Sequence, residues 1–116
     1  MDMNSNREQN VDALIQQKSL LIVQAQFQQA IGQQAVASHF FLEAAVLEKR
    51  LAEKFRQAGN DEDAAISLFS AASCYKNANR ITQALACATK ALSLSNSKSM
   101  TENIELLRGE CRAAAS

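Results

Sequence analysis

The chain has 116 residues, 47% hydrophobic and 21% charged, a globular composition long enough for one domain with a real core and well outside the range in which chains stay disordered. Twelve basic and twelve acidic side chains cancel, so there is no excess positive field to gather phosphates, and nucleic acid is disfavoured as a general partner. Three cysteines, Cys74, Cys87 and Cys111, are odd in number and widely spaced, which argues against a disulfide framework and against a paired-cysteine metal or redox motif, and fits a reduced compartment.

There is no proline, and the only glycines are Gly32, Gly59 and Gly109, against a background rich in Ala, Leu, Gln, Glu and Lys. This inventory predicts an all-α chain of about five helices and no strands. Residues 1–6 are read as a disordered tail and 7–116 as a single helical domain. The start, MDMNSNREQN, lacks the positive stretch and apolar run of a secretory signal, so a cytoplasmic location is expected.

The first helix is expected behind Ser5, where Ser5-Asn6-Arg7-Glu8 has the capping-box spacing, and runs to about Ile31. From Ser19 to Leu42 no acidic or basic residue occurs apart from His39. Gln24, Gln26, Gln28, Gln29, Gln33 and Gln34 interrupt that stretch, and in hydrocarbon those amides would be too costly for a membrane span. Leu20, Leu21, Ile22, Val23, Phe27, Ile31, Phe40 and Phe41 surround more of the helix than one packing face needs. Either the helix is central in a bundle, or its extra face meets another subunit as a homodimer.

The second helix, Gln34 to about Ala58, carries the stripe Phe40, Ala44, Leu47, Leu51, Phe55, Ala58 and ends at Gly59 as a C-cap. Asp61, Glu62 and Asp63 open a third helix with Asn60 or Asp61 as N-cap, reaching about Lys76. After Asn77-Ala78-Asn79 a fourth helix shows the stripe Ile81, Ala84, Leu85, Ala88, Ala91, Leu92 and fades over Ser93 to Ser99. A fifth begins at a second capping box, Ser99-Met100-Thr101-Glu102, with Met100, Ile104, Leu107, Cys111 and Ala114 on one face.

Two segments superpose when shifted by about twenty residues: Phe55, Gly59, Ala64, Leu68, Ala71 becomes Tyr75, Asn79, Ala84, Ala88, Ala91. Each set places an aromatic at a helix end, a Gly or Asn at the turn, and small or apolar residues on the next helix. Alanines there let two helices approach closely while the aromatic plugs the hairpin's open end. In Leu51-Ala52, Phe55, Gly59-Asn60, Ala64, Leu68 and Ala71, and again in Ala72, Tyr75, Asn79, Ala84, Ala88 and Ala91-Leu92, the chain resembles the tetratricopeptide repeat over about residues 45–96. The segment AASCYKNANRITQALACATKAL is also similar to the helical hairpins of soluble NSF attachment proteins. Both resemblances imply an antiparallel helical bundle with a helix-turn-helix hairpin that binds a protein, a peptide or a partner helix. The matches overlap by sharing the third helix, unlike a standard tandem array, and Asn96 stands where the repeat usually has proline.

No glycine-rich phosphate loop, paired nucleophile and base, or metal-ligand spacing is present, so no catalytic residue, cofactor or metal is expected and the chain is read as non-enzymatic. His39 and Glu43 lie one turn apart, but with a single histidine neither a bundle metal site nor a catalytic pair can be assembled. The resemblance to the repeat places charged residues of the second helix, Lys49, Glu53 and Arg56, on a partner groove. If the third helix takes that part, Ser73, Lys76 and Asn77 face it instead. Two further readings are a self-associating domain using the glutamine-rich first helix, and a three-helix trafficking module of the MIT kind, whose style AGNDEDAAISLFSAA shares.

Overall fold

The computed structural model describes the backbone of residues 3–115 and the side chains of residues 11–115. It consists of α1 (Met3–Ala30), α2 (Gln34–Gln57), α3 (Asp61–Asn77), α4 (Ile81–Leu94) and α5 (Lys98–Ala115), with no strand among the described residues. α1 begins at Met3, within the tail expected over residues 1–6 and ahead of the cap expected at Ser5, so the backbone of Ser5 to Glu8 lies inside the helix; the side chains of residues 1–10, and with them the capping bonds, lie outside the described residues. The helix count exceeds that of a three-helix module.

The first three turns are built alike. Gly32, Gly59 and Asn79 each adopt a left-handed conformation, φ 82°, 80° and 61°. In each turn the next amide donates back across the helix end: Gln33 N–H to Gln28 C=O, Asn60 to Phe55 and Arg80 to Tyr75, each at 2.8 Å. These 6→1 bonds, with the 5→2 bonds from Gly32, Gly59 and Asn79 to Gln29, Arg56 and Lys76, satisfy helix-end carbonyls in the Schellman pattern. Four residues after each of Gln33, Asn60 and Arg80 stands a fully buried alanine, Ala37, Ala64 and Ala84, whose N–H donates to that residue's carbonyl.

The echo read between the second and third turns therefore extends to the first. Gln28, Gly32, Ala37, Phe41 and Ala44 stand at the same offsets as Phe55, Gly59, Ala64, Leu68 and Ala71. Ala37, Ala44, Ala64, Ala71, Ala84, Ala88 and Ala91 are all fully buried, so each consecutive hairpin is a close helix contact made through methyl groups. Consecutive helices pack on one another, α3 also reaches α5, and the molecule measures 49 × 32 × 20 Å. This is an all-α stack compatible with a helical-repeat fold.

Several faces are rotated from those expected. On α2 the buried set is Ala37, Phe41, Ala44, Ala45, Glu48, Leu51 and Ala52, while Phe40, Leu47 and Phe55 are half-buried and Ala58 is exposed. The cause is that α2 packs on two neighbours, α1 and α3, so its core face is broader than one stripe. On α5 Ile104, Leu107 and Cys111 are buried as expected, but Ala114 is exposed.

Two caps also differ. Asn60 occupies the N-cap position of α3 without a side-chain cap bond. The α5 cap is Ser97 rather than Ser99, because the Ser97 Oγ accepts from the Met100 N–H at 3.1 Å, which places Ser99 inside the first turn. Glu62 in the first turn of α3 ties down the α4–α5 loop: its Oε1 accepts from the Asn96 N–H at 2.7 Å and its Oε2 from the Ser95 hydroxyl at 3.4 Å.

Candidate functional site

A groove of about 220 Å³ opens between α2, α3 and α4. From α2 it takes Lys49, Ala52 and Arg56, spaced three and four apart and so on one face; α3 contributes Leu68, and α4 contributes Ala86, Cys87 and Lys90. Ala52, Leu68 and Cys87 are buried and form an apolar floor kept low by short side chains, while Lys49, Arg56 and Lys90 are exposed on its rim. Its lining contains no acidic residue. The Lys49 ammonium lies 6.0 Å from the centroid of the buried Tyr75 ring, which steadies it on the α3 side by cation–π attraction.

The charges register on Cys87. Burial pushes its thiol above the ordinary range, and the Lys49 and Lys90 ammoniums pull in the other direction by favouring the thiolate; burial wins. Cys87 is thus a floor residue and not an activated nucleophile.

Of the residues expected at a groove, Lys49 and Arg56 are brought together here. Glu53 is exposed and accepts from the Gln57 amide at 3.4 Å, outside the lining. Lys76 pairs with Glu110 at 3.4 Å, joining α3 to α5. The Asn77 carbonyl accepts from the Gln34 amide at 3.4 Å, at the far end of the α2–α3 hairpin, and Ser73 is half-buried outside the lining. Lys90 is the charged groove residue that sequence reasoning missed, along with the groove's apolar lining of Ala52, Leu68, Ala86 and Cys87. The Lys90 signal was present, since it is the sole charged residue between Ile81 and Ser97.

A second polar feature lies between α1 and α2. Glu48 is 1% exposed, with its Oε2 3.1 Å from the Lys18 ammonium. Its Oε1 has no hydrogen-bond partner among the described residues. Burial pushes the Glu48 carboxyl above its ordinary value, and Lys18 opposes that shift without cancelling it. Lys18 also borders a groove of about 270 Å³ with Ile15, Phe55, Asp63, Ile66 and Ser67.

His39 and Glu43 form an exposed pair at 3.2 Å on α2. Among the described residues no group of three His, Cys, Asp or Glu side chains is placed to hold a metal ion, and no helix is long and apolar enough to cross a membrane. Comparison with protein-family models, with curated proteins and with solved structures finds no match for the chain.

Proposed function

We propose that this chain is a non-enzymatic interaction module, a tetratricopeptide-like scaffold whose groove between α2, α3 and α4 receives an acidic peptide or the acidic face of a partner helix. The observation that carries the reading is the rim of Lys49, Arg56 and Lys90 over the apolar floor of Ala52, Leu68 and Cys87. Three cations in a lining that holds no acidic residue complement a negatively charged segment and repel a positive one, which is how charged grooves select partners and raise association rates. The floor admits short apolar side chains from such a segment, and the recurring turn and alanine pattern supplies rigid helices to hold the rim. At about 220 Å³ the groove is smaller than typical small-molecule sites, which favours a strand of peptide lying across it.

Titration of the chain with fluorescently labelled peptides of matched length, one acidic and apolar, one basic and apolar, tests the reading by anisotropy. Only the acidic peptide is expected to bind, more weakly as salt rises. Lys90→Glu is expected to weaken binding about tenfold, or ~1.4 kcal/mol. Equal binding of both peptides, or an affinity indifferent to Lys90→Glu and to Arg56→Glu, would overturn the assignment.

A further inference from the structure

Helix α1 is one end of the stack and α5 is the other, and the two ends are finished differently. The outer surface of α5 exposes Lys98, Glu102, Glu105, Glu110 and Arg112 around a single large apolar residue, Leu106. Helix α1 exposes Leu20, Val23 and Phe27 at 60%, 61% and 59%, and the turn just after it exposes Ile31 at 54%. Their spacing of three, four and four places them in one narrow stripe about 17 Å long. The stripe lies about 120° around the helix from the face that Leu21, Ala25 and Gln28 turn toward α2, and its Leu20 end meets α2 in a groove with Glu43, Val46 and Arg50. Stacked-helix architectures need a polar outer face on each terminal element, and on α1 this apolar stripe interrupts the exposed Gln16, Ser19, Gln24 and Gln26.

We propose that this stripe is a homodimer interface, in which α1 of one copy packs on α1 of a second copy about a two-fold axis. Charge selects the occupant. No acidic or basic residue occurs from Ser19 to Ser38, so a two-fold axis lays the stripe on itself without opposing like charges. A membrane surface would be expected to call for a cluster of Lys or Arg along the stripe; Arg50 stands near its Leu20 end beside Glu43, and no cation accompanies Val23, Phe27 and Ile31 in sequence. Contact of α1 with α5 of another copy would set the apolar stripe against a surface where Leu106 stands alone among charged side chains, and would propagate into rings or an open fibre.

The area fits a reversible pair. Four such side chains expose on the order of 400 Å² of apolar surface, the size that marks an interaction patch. Doubled across the axis and framed by Gln16, Gln24 and the half-exposed Val46, the contact reaches the lower end of stable interfaces, about 1,200 Å².

Sedimentation velocity over a concentration series is the test, with helicity and melting followed in parallel. The 116-residue chain is expected to approach twice the monomer mass at high concentration and to dissociate on dilution. Phe27→Glu and, separately, Val23→Glu are expected to give monomers at every concentration, melting as the dilute, dissociated wild type does, because both positions are exposed in the monomer. Leu106→Glu, on the exposed side of α5, is expected to leave the dimer intact. A wild-type chain monomeric throughout, an open-ended series of oligomers, or a dimer that survives both α1 substitutions would overturn the proposal.

Discussion

The Lys18 ammonium on α1 reaches a Glu48 carboxylate on α2 that is 1% exposed, closing to 3.1 Å. A carboxylate so placed has lost its water, and its one charged neighbour offsets the loss only in part, which is why its proton affinity is raised. Lys18→Met removes that neighbour and is expected to destabilise the chain by about 3 kcal/mol at pH 7. Replacing both groups, Lys18→Met with Glu48→Leu, is expected to be neutral or stabilising.

The same pair gives a pH dependence of known sign. The folded-state pKa of Glu48 lies above its unfolded value near 4.5, so the folded state binds the proton more tightly. That contribution to stability is complete below the unfolded value and is lost as pH rises through the folded one. Without Lys18 the folded value rises further, so the deficit of Lys18→Met is expected to shrink when the urea midpoint is measured at pH 5 instead of pH 7. An equal deficit at both would show that Lys18 acts through packing alone.

The three cysteines give a third prediction. All are free and buried, and burial pushes the Cys74 thiol up to about 12, with the nearby Glu48 adding to the rise and Lys18 opposing it. Thiolate is the reactive form, so a thiol reagent at neutral pH is expected to label Cys74 only as fast as the chain opens, and to label all three cysteines rapidly in denaturant. The folded thiol is the weaker acid, so its contribution to stability holds below the unfolded value near 9.0 and is lost as pH climbs from there toward 12. A urea midpoint that falls over that range in the wild type, and falls less in Cys74→Ala, checks the sign.

What the sequence revealed of this fold follows from which signals are local. Gly59 and Asn79 could be read as turns because the left-handed conformation is a property of the residue and its neighbours, and the structure places both there. The first turn obeys the same rule, but Gln28 stands where Phe55 and Tyr75 mark the other two, and without an aromatic the repetition at Gly32 was hidden. The burial of Glu48 was not legible: on a helical wheel it is one charge among Lys49, Arg50 and Glu53, and only the crossing of α1, which brings Lys18 from thirty residues away, turns it inward. The groove was half legible. Lys49 and Arg56 share a face of one helix, whereas their association with Lys90 depends on how α4 lies across α3.

Ala88 tests whether the alanine contacts set the helix spacing. It is fully buried on α4 and stands at the offset that Phe41 and Leu68 occupy in the earlier hairpins. Those two hairpins accommodate a large side chain at this offset; the third is closed around a methyl group. Ala88→Leu is expected to overpack it and to cost roughly 1 to 3 kcal/mol, read as a lower melting midpoint. Leu68→Ala should cost about 2 to 5 kcal/mol for the opposite reason, the space left behind. An unchanged midpoint for Ala88→Leu would mean that the α3–α4 contact is loose.

Two glycines predict opposite signs for the same substitution. A Cβ at either Gly59 or Gly109 meets nothing within 4 Å, so neither change creates a clash and only backbone conformation decides. Gly59 sits at φ 80° in the α2–α3 turn, where an L side chain crowds its own carbonyl, and Gly59→Ala is expected to destabilise by about 1 kcal/mol. Gly109 lies within α5 in ordinary helical backbone, where alanine restricts the unfolded chain and favours the helix, so Gly109→Ala is expected to stabilise by roughly 0.5 to 1 kcal/mol. Asn79, already left-handed at φ 61°, should tolerate glycine with little change but lose about 1 to 2 kcal/mol as valine, whose branched Cβ cannot take that conformation cheaply. Paired urea titrations of the four variants decide it, and a gain for Gly59→Ala would mean that the turn is not held left-handed in solution.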